Sequence, residues 1–173
     1  DSYINEHAKP SCVSVNGNSV YDENVRLSKS IRKQFDLELD SEHLIFKYFK
    51  NVVIGTGSMH IYEKNGFMKP HKDLVLSDFI SSPHIATLVI STDFSCMKLN
   101  GEEVENYDFN KGVRKNMLCF TLDVIHEITP VQSQKRISYT FPIYGELDCK
   151  RGSKWETIYN GVSGYSETFY SRL

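Results

Sequence analysis

The chain has 173 residues, of which 40% are hydrophobic, 12% aromatic and 24% charged, as expected of an ordinary globular protein with one sizeable core. Its net charge of −2 excludes a global electrostatic pull toward nucleic acid or anionic membranes and leaves only a local basic patch open. No apolar run is long enough to span a bilayer and no secretory signal is visible, so a single domain over residues 1–173 without a membrane partner is expected.

The start at Asp1, without a methionine, is expected of a chain from which a leader or a larger parent has been removed. The four cysteines are Cys12, Cys96, Cys119 and Cys149, and none form the C-x-x-C pair of a zinc ribbon. Cys119, inside the apolar run "MLCFTL", reads as a buried thiol acting as a small hydrophobe. There is no N-x-S/T sequon. These features lean toward a reducing compartment, and a cytoplasmic location is expected.

In chain order, residues 1–21 are polar and read as a loop or frayed arm. "DENVRLSKSIRKQF" (22–35) spaces Leu27, Ile31 and Phe35 four apart, which predicts a helix capped by Asp22 or Asn24. A second short helix is predicted at "SEHLIFKYF" (41–49), with Ser41 as its cap. From residue 50 the pattern becomes strand-like. "NVVIGTG", "SMHIYE", "HIATLVIST", "CMKLNGEEV", "NMLCFTLD", "HEITPV" and "RISYTFPIY" are rich in β-branched and aromatic residues, with turns at "KNG", "LNGEE" and "NKG" between them. Helices followed by short strands predict an α+β, mainly β fold whose body is an antiparallel sandwich or barrel. Residues 145–173 carry Trp155, Tyr159, Tyr165, Phe169 and Tyr170 but no readable periodicity. There, Lys150, Arg151 and Lys154 read as a solvated surface rather than a nucleic-acid site.

The chemistry concentrates in two segments. "YEKNGFMKPHKD" (62–73) ends in a His-x-Asp pair, and residues two apart on a strand share a side, so His71 and Asp73 can reach one ion. Alone, the pair is weak and would read as a solvated loop. "DVIHEITPVQSQKRISYTFP" (123–142) then supplies His126 after an apolar strand, and Arg136 opening another. Arg136, Ser138 and Thr140 share one face of that strand, while Ile137, Tyr139 and Phe141 share the other. The polar face either meets water or lines a barrel interior that holds an anionic ligand. Arginine suits the second role, because its planar fork grips a carboxylate with two parallel hydrogen bonds.

H-x-D, a second His some fifty residues later and an Arg about ten beyond it together resemble the iron- and 2-oxoglutarate-dependent dioxygenases. Within that superfamily, "YEKNGFMKPHKD" is most similar to the prolyl-4-hydroxylase-type branch, and the likeness spans about residues 50–145. The resemblance implies a double-stranded β-helix, or jelly roll, with the N-terminal helices packed on one sheet. It implies Fe(II) held by His71, Asp73 and His126, which leaves three coordination positions for a bidentate keto acid and O2. It further implies that Arg136 pairs with the distal carboxylate of 2-oxoglutarate and that Ser138 donates to the same group. Tyr62, nine residues before His71, would be a third contact; a tyrosine hydroxyl packed in the core is the competing reading. Ascorbate is allowed as an additional reductant.

The implied reaction is hydroxylation of a C–H bond, first on a peptidyl, prolyl-type substrate. A small molecule or a nucleobase is the alternative within the enzyme class, and a jelly-roll binding module without turnover is the alternative outside it. The R-x-S-x-T-F segment is also loosely similar to nucleic-acid demethylases, but Pro142 stands where they carry a second Arg. Nucleic acid is therefore the disfavoured partner and a protein or peptide the favoured one. A further departure lies in "FSCMKL", where Cys96 and Met97 replace a Gly-Gly pair common in the family, which questions the shape of that strand and of the groove. His60 and His84 could substitute for a triad member, but neither has an acid two residues away, and both read as structural. "LVLSDFISSP" (74–83) is expected to border the mouth of the barrel, with Phe79 and Ile80 offering an apolar contact there.

Overall fold

A computed structural model of the chain describes residues 2–16, 18–37, 49–74, 83–91, 93–104, 107–108, 113–147, 155–161 and 167–171. A short helix, α1 (Ser2–His7), leads into β1 (Lys9–Pro10) and the two-stranded ribbon of β2 (Val13–Val15) and β3 (Asn18–Val20). Next come β4 (Arg26–Leu27), β5 (Lys29–Phe35), β6 (Phe49–Ile54), β7 (Gly57–Glu63), β8 (Phe67–His71) and β9 (His84–Ser91). The chain continues through β10 (Met97–Leu99), β11 (Glu102–Glu103), β12 (Tyr107–Asp108), β13 (Val113–Thr121) and β14 (His126–Ile128). It ends with β15 (Lys135–Leu147), β16 (Trp155–Gly161) and β17 (Glu167–Ser171).

Apart from the β2–β3 ribbon, the described strands form two antiparallel sheets. The larger runs β1-β5-β7-β15-β9-β13-β16-β17, with β6 also paired to β15 and β12 to β13; the smaller runs β11-β10-β14-β8-β4. From β7 to β10 the chain alternates between the two at every strand, and it does so again from β13 to β15. That winding makes the fold a double-stranded β-helix, the jelly roll expected from the sequence.

Between the sheets, Tyr62, Val89, Leu118 and Phe120 of the larger meet Met97, Leu99 and Ile128 of the smaller, with half-buried Met68 beside them. The larger sheet is buried on its outer face too, through Phe49, Ala86, Leu88, Cys119, Phe141 and Ile143. Burial on both sides explains why "HIATLVIS" reads as a nearly continuous apolar run rather than an alternation. Cys119 is indeed a buried thiol, and burial pushes its pKa well up. Among the described residues no helix is long and apolar enough to cross a membrane.

Three expectations about the N-terminal half need correction. The helix predicted over residues 22–35 is β4 and β5 instead. A spacing of four fits a helical period of 3.6, but four is also an even number, so Leu27, Ile31 and Phe35 fall equally well on one face of an extended chain. Around Ser28 the chain crosses from the smaller sheet to the larger. The Ser28 carbonyl accepts from the Ser11 N–H at 2.9 Å, and its hydroxyl donates to Ser11 Oγ at 2.9 Å while accepting from Arg26 Nε at 3.0 Å. Residues 1–21 are not a simple loop, since they contain α1 and three strands. The helices expected to pack on one sheet therefore reduce, among the described residues, to α1, whose flank Ile4 and Ala8 packs against Ile31, Met59 and Ile61. The second predicted helix (41–49) lies outside the described residues except for Phe49, which opens β6.

Two further features set the frame of the site. The turn from β7 to β8 is clamped to the far end of β14. Asn65 N–H donates to the Val131 carbonyl at 2.8 Å, and Val131 N–H returns a bond to Gly66 at 2.9 Å. The strand that Met97 opens is regular despite the missing glycines: Met97 pairs with Ile128, and Thr129 N–H donates to the carbonyl of Cys96 in the preceding turn at 2.8 Å. The tail extends the larger sheet as β16 on β13 and β17 on β16. Lys150, Arg151 and Lys154 lie outside the described residues, as do Phe79 and Ile80.

Candidate metal centre

His71 closes β8 and His126 opens β14, and the two are direct partners across the strand pair. Their rings lie 4.2 Å apart between centroids. Asp73, two residues past His71, places Oδ1 at 3.2 Å from His126 Nε2 and 3.9 Å from His71 Nε2. One ligand atom from each of the three residues fits within a 4.8 Å span, the size of a mononuclear metal site.

The backbone fixes how the imidazoles present themselves. His71 Nδ1 lies 2.8 Å from the Lys69 carbonyl, and His126 Nδ1 lies 3.2 Å from the Val124 carbonyl. A carbonyl only accepts, so each Nδ1 carries a proton, and Nε2 is the ring nitrogen turned toward Asp73 and left for a metal to take once it is unprotonated. Phe120 supports the His126 ring at 4.6 Å between centroids. Thr87, on β9 of the larger sheet, donates its hydroxyl to Asp73 Oδ2 in a short hydrogen bond, leaving Oδ1 turned toward the histidines. The sequence reading missed Thr87. The signal was available as a polar residue at an inward position of an otherwise apolar strand.

Arg136 is the largest fully buried side chain of the protein's described part, only 1% exposed. The reading in which its face meets water is therefore excluded. Its Nε donates to the Asp93 carbonyl at 3.0 Å and its Nη1 to Ser138 Oγ at 3.3 Å, and its guanidinium lies 5.5 Å from the centre of the Tyr62 ring. Nη2 is buried with no hydrogen-bond partner among the described residues. A buried guanidinium without a carboxylate is costly, on the order of several kcal/mol, unless an anion completes it. Tyr62 is 2% exposed, and its hydroxyl points at the Met68 sulfur at 3.8 Å, a weak contact that an oxygen acceptor would outcompete.

Both groups open into one cavity of about 1160 Å³, lined by the triad, Arg136, Ser138 and Tyr62 among others. The structure thus brings together all six residues singled out in the sequence. It also places His60 and His84 in the wall of the same cavity, outside the triad. His84 is held by the Ala86 carbonyl at 3.1 Å. The donor set of two neutral imidazole nitrogens and one carboxylate, open on the cavity side, fits Fe(II) or a similar divalent ion. The unpartnered Nη2 fits the far carboxylate of a keto acid.

The fold is similar to the jelly roll of solved prolyl hydroxylases. A Trichoplax adhaerens prolyl hydroxylase, solved in complex with a peptide fragment of the hypoxia inducible factor oxygen degradation domain, is similar over 84% of this chain and 73% of its own, with 14% identity and a TM-score of 0.51. A Pseudomonas putida prolyl-4-hydroxylase matches over 79% of this chain and 76% of its own at 14% identity and a TM-score of 0.45. A Burkholderia pseudomallei protein of the 2OG-Fe(II) oxygenase family covers 84% of this chain and 79% of its own at 13% identity and a TM-score of 0.46. No protein-family model matches the chain, and no curated protein sequence matches it significantly.

Proposed function

We propose that the chain is a single-domain Fe(II)- and 2-oxoglutarate-dependent oxygenase that hydroxylates a C–H bond, with a peptidyl, prolyl-type side chain as the favoured substrate. The observation that carries this reading is the pairing, within one cavity, of the His71–Asp73–His126 cluster with a buried Arg136 whose Nη2 lacks a partner. An inert jelly roll has no use for either group, and keeping the Arg136 guanidinium buried with Nη2 unpartnered opposes folding. Bound Fe(II) would supply the activation of O2 that protein side chains cannot.

The side chains have separable tasks. His71, Asp73 and His126 hold the ion from one side, with Lys69, Val124 and Thr87 fixing their orientation. Arg136 and Ser138 hold the distal carboxylate of 2-oxoglutarate and so set how far the keto acid reaches toward the triad. Val89, Met97, Phe120 and Ile128 form an apolar wall that keeps water from the reacting centre. The peptide preference is supported by the Trichoplax adhaerens enzyme, whose structure contains a peptide fragment.

Anaerobic titration tests the proposal. Fe(II) followed by 2-oxoglutarate should give a saturable complex in the native protein. Arg136→Ala should weaken 2-oxoglutarate binding by about 2–5 kcal/mol, as when one member of a buried charge pair is truncated, while metal affinity without the keto acid barely moves. Equal 2-oxoglutarate affinity in the two proteins would contradict the assignment.

A further inference from the structure

Away from the triad, the cavity wall carries a second polar cluster, made by Arg26 of β4, His60 of β7 and Thr140 of β15. We propose that this cluster binds a carboxylate of the substrate, so that the protein acts on an acidic peptide or an organic acid rather than on a neutral one. The inference rests on the oxygenase reading for the reaction, but not for the binding.

The direction of each hydrogen bond follows from chemistry. Arg26 Nη2 lies 2.8 Å from His60 Nδ1, and a guanidinium can only donate, so His60 Nδ1 accepts. In the neutral ring the proton is then on Nε2, which donates to Thr140 Oγ1 at 2.9 Å. The Thr140 oxygen is thereby used as an acceptor, and its own hydrogen is left to donate into the cavity. The cluster presents a cationic fork and a hydroxyl donor, both suited to an anionic oxygen.

Nothing in the described part of the chain neutralises Arg26. Its Nε donates to a neutral partner, Ser28 Oγ, and no carboxylate of a described residue lies within ion-pair distance of it. Asp22 also lines the cavity and its Oδ1 accepts from the Asn24 N–H at 3.0 Å, but it makes no ion pair with Arg26. The charge is close enough to the metal centre to be one of the influences lowering the His71 pKa. The Arg26 cluster and Arg136 sit at different stretches of the cavity wall. Arg136 and Thr140 are four residues apart on one strand, which separates them by about 13 Å at ~3.3 Å per residue. With the keto acid on Arg136, Arg26 is left for a different anion, and the substrate is the molecule that must enter beside it.

The test compares acids with isosteric amides on the whole chain. The probes are acetyl-Pro-Glu-amide against acetyl-Pro-Gln-amide, and N-acetylproline against N-acetylprolinamide. Dissociation constants are read by NMR titration, both on the metal-free protein and on the protein loaded with Mn(II) and 2-oxoglutarate. The native protein should prefer the acid of at least one pair by about fivefold or more. The pair that shows it tells whether the carboxylate comes from a peptide side chain or a free acid. Arg26→Gln should bring the ratio close to one, and Thr140→Val should reduce it. If Arg26 only supports the fold, its replacement weakens acid and amide alike and the ratio stays; that result, or a native ratio near one for both pairs, overturns the proposal. Failure of Mn(II) or 2-oxoglutarate to bind would instead overturn the oxygenase reading, while the preference on the metal-free protein stands or falls separately.

Discussion

At the scale of single residues, the His71–Asp73–His126 cluster is set toward the charge states that metal binding would require. Burial of His71 disfavours its imidazolium, and the charge of His126 adds to this. The Lys69 carbonyl and Asp73 oppose the shift only in part, so the pKa lies below its ordinary 6.5. For Asp73, burial pushes the carboxyl upward, but the bond and charge of His126 together with the Thr87 hydroxyl outweigh it and hold the pKa at about 2. A lowered pKa means the proton leaves at lower pH, so His71 is neutral and Asp73 anionic throughout the neutral range. The His71 ring of the metal-free protein should titrate by NMR with a midpoint below 6.5, and metal affinity should fall as pH drops through it. A midpoint above that value would contradict the described environment. Thr87→Val removes the hydroxyl that orients Asp73 and should weaken Mn(II) binding by about 10–100-fold in a competition assay, with the fold intact.

At the scale of elements, the ligands are positioned by the ends of strands, and those ends by turns. Gly66 is the tightest such point between β7 and β8, because a Cβ there would sit 2.8 Å from the Leu27 carbonyl oxygen and 2.9 Å from that of Glu63. Both obstacles are backbone and cannot rotate away. Gly66→Ala should therefore cost about 1–3 kcal/mol in urea unfolding and loosen the metal site, since β8 must shift to relieve the contact. Strands and turns of this kind were legible in the sequence between residues 50 and 144, where β-branched residues and Asn-Gly turns point to strands, whereas β16 and β17 were not. The N-terminal half was not, because the spacing of Leu27, Ile31 and Phe35 satisfies both periods and only the pairing of β4 with β8 and of β5 with β7 decides between them. Arg26 drew no notice for the same reason, since only the pairing of β4 with β8 places it in the cavity wall. His71, Asp73, His126 and Arg136 were legible because their order along the chain is itself a signal, whereas Thr87 and His60 reach the site only through strand register.

At the scale of the whole molecule, the jelly roll buries a guanidinium with an unpartnered Nη2 in the cavity between its two sheets, an arrangement expected to cost stability. The buried Arg136 makes this measurable. Arg136→Met fills similar volume without a charge and should raise the unfolding free energy of the ligand-free protein by about 1–4 kcal/mol. 2-Oxoglutarate with Mn(II) should stabilise the native protein and leave the variant's stability close to that with Mn(II) alone. A destabilised Arg136→Met protein would mean that the guanidinium is already satisfied in the empty cavity. The most direct measurement of the central claim is succinate formation from 2-oxoglutarate under air, with Fe(II), in the native protein and in His126→Ala. Iron-dependent succinate release, slow without substrate and abolished in His126→Ala, is the predicted result. No succinate from a native protein that has demonstrably filled its metal site, across acidic peptides and organic acids alike, would contradict the account.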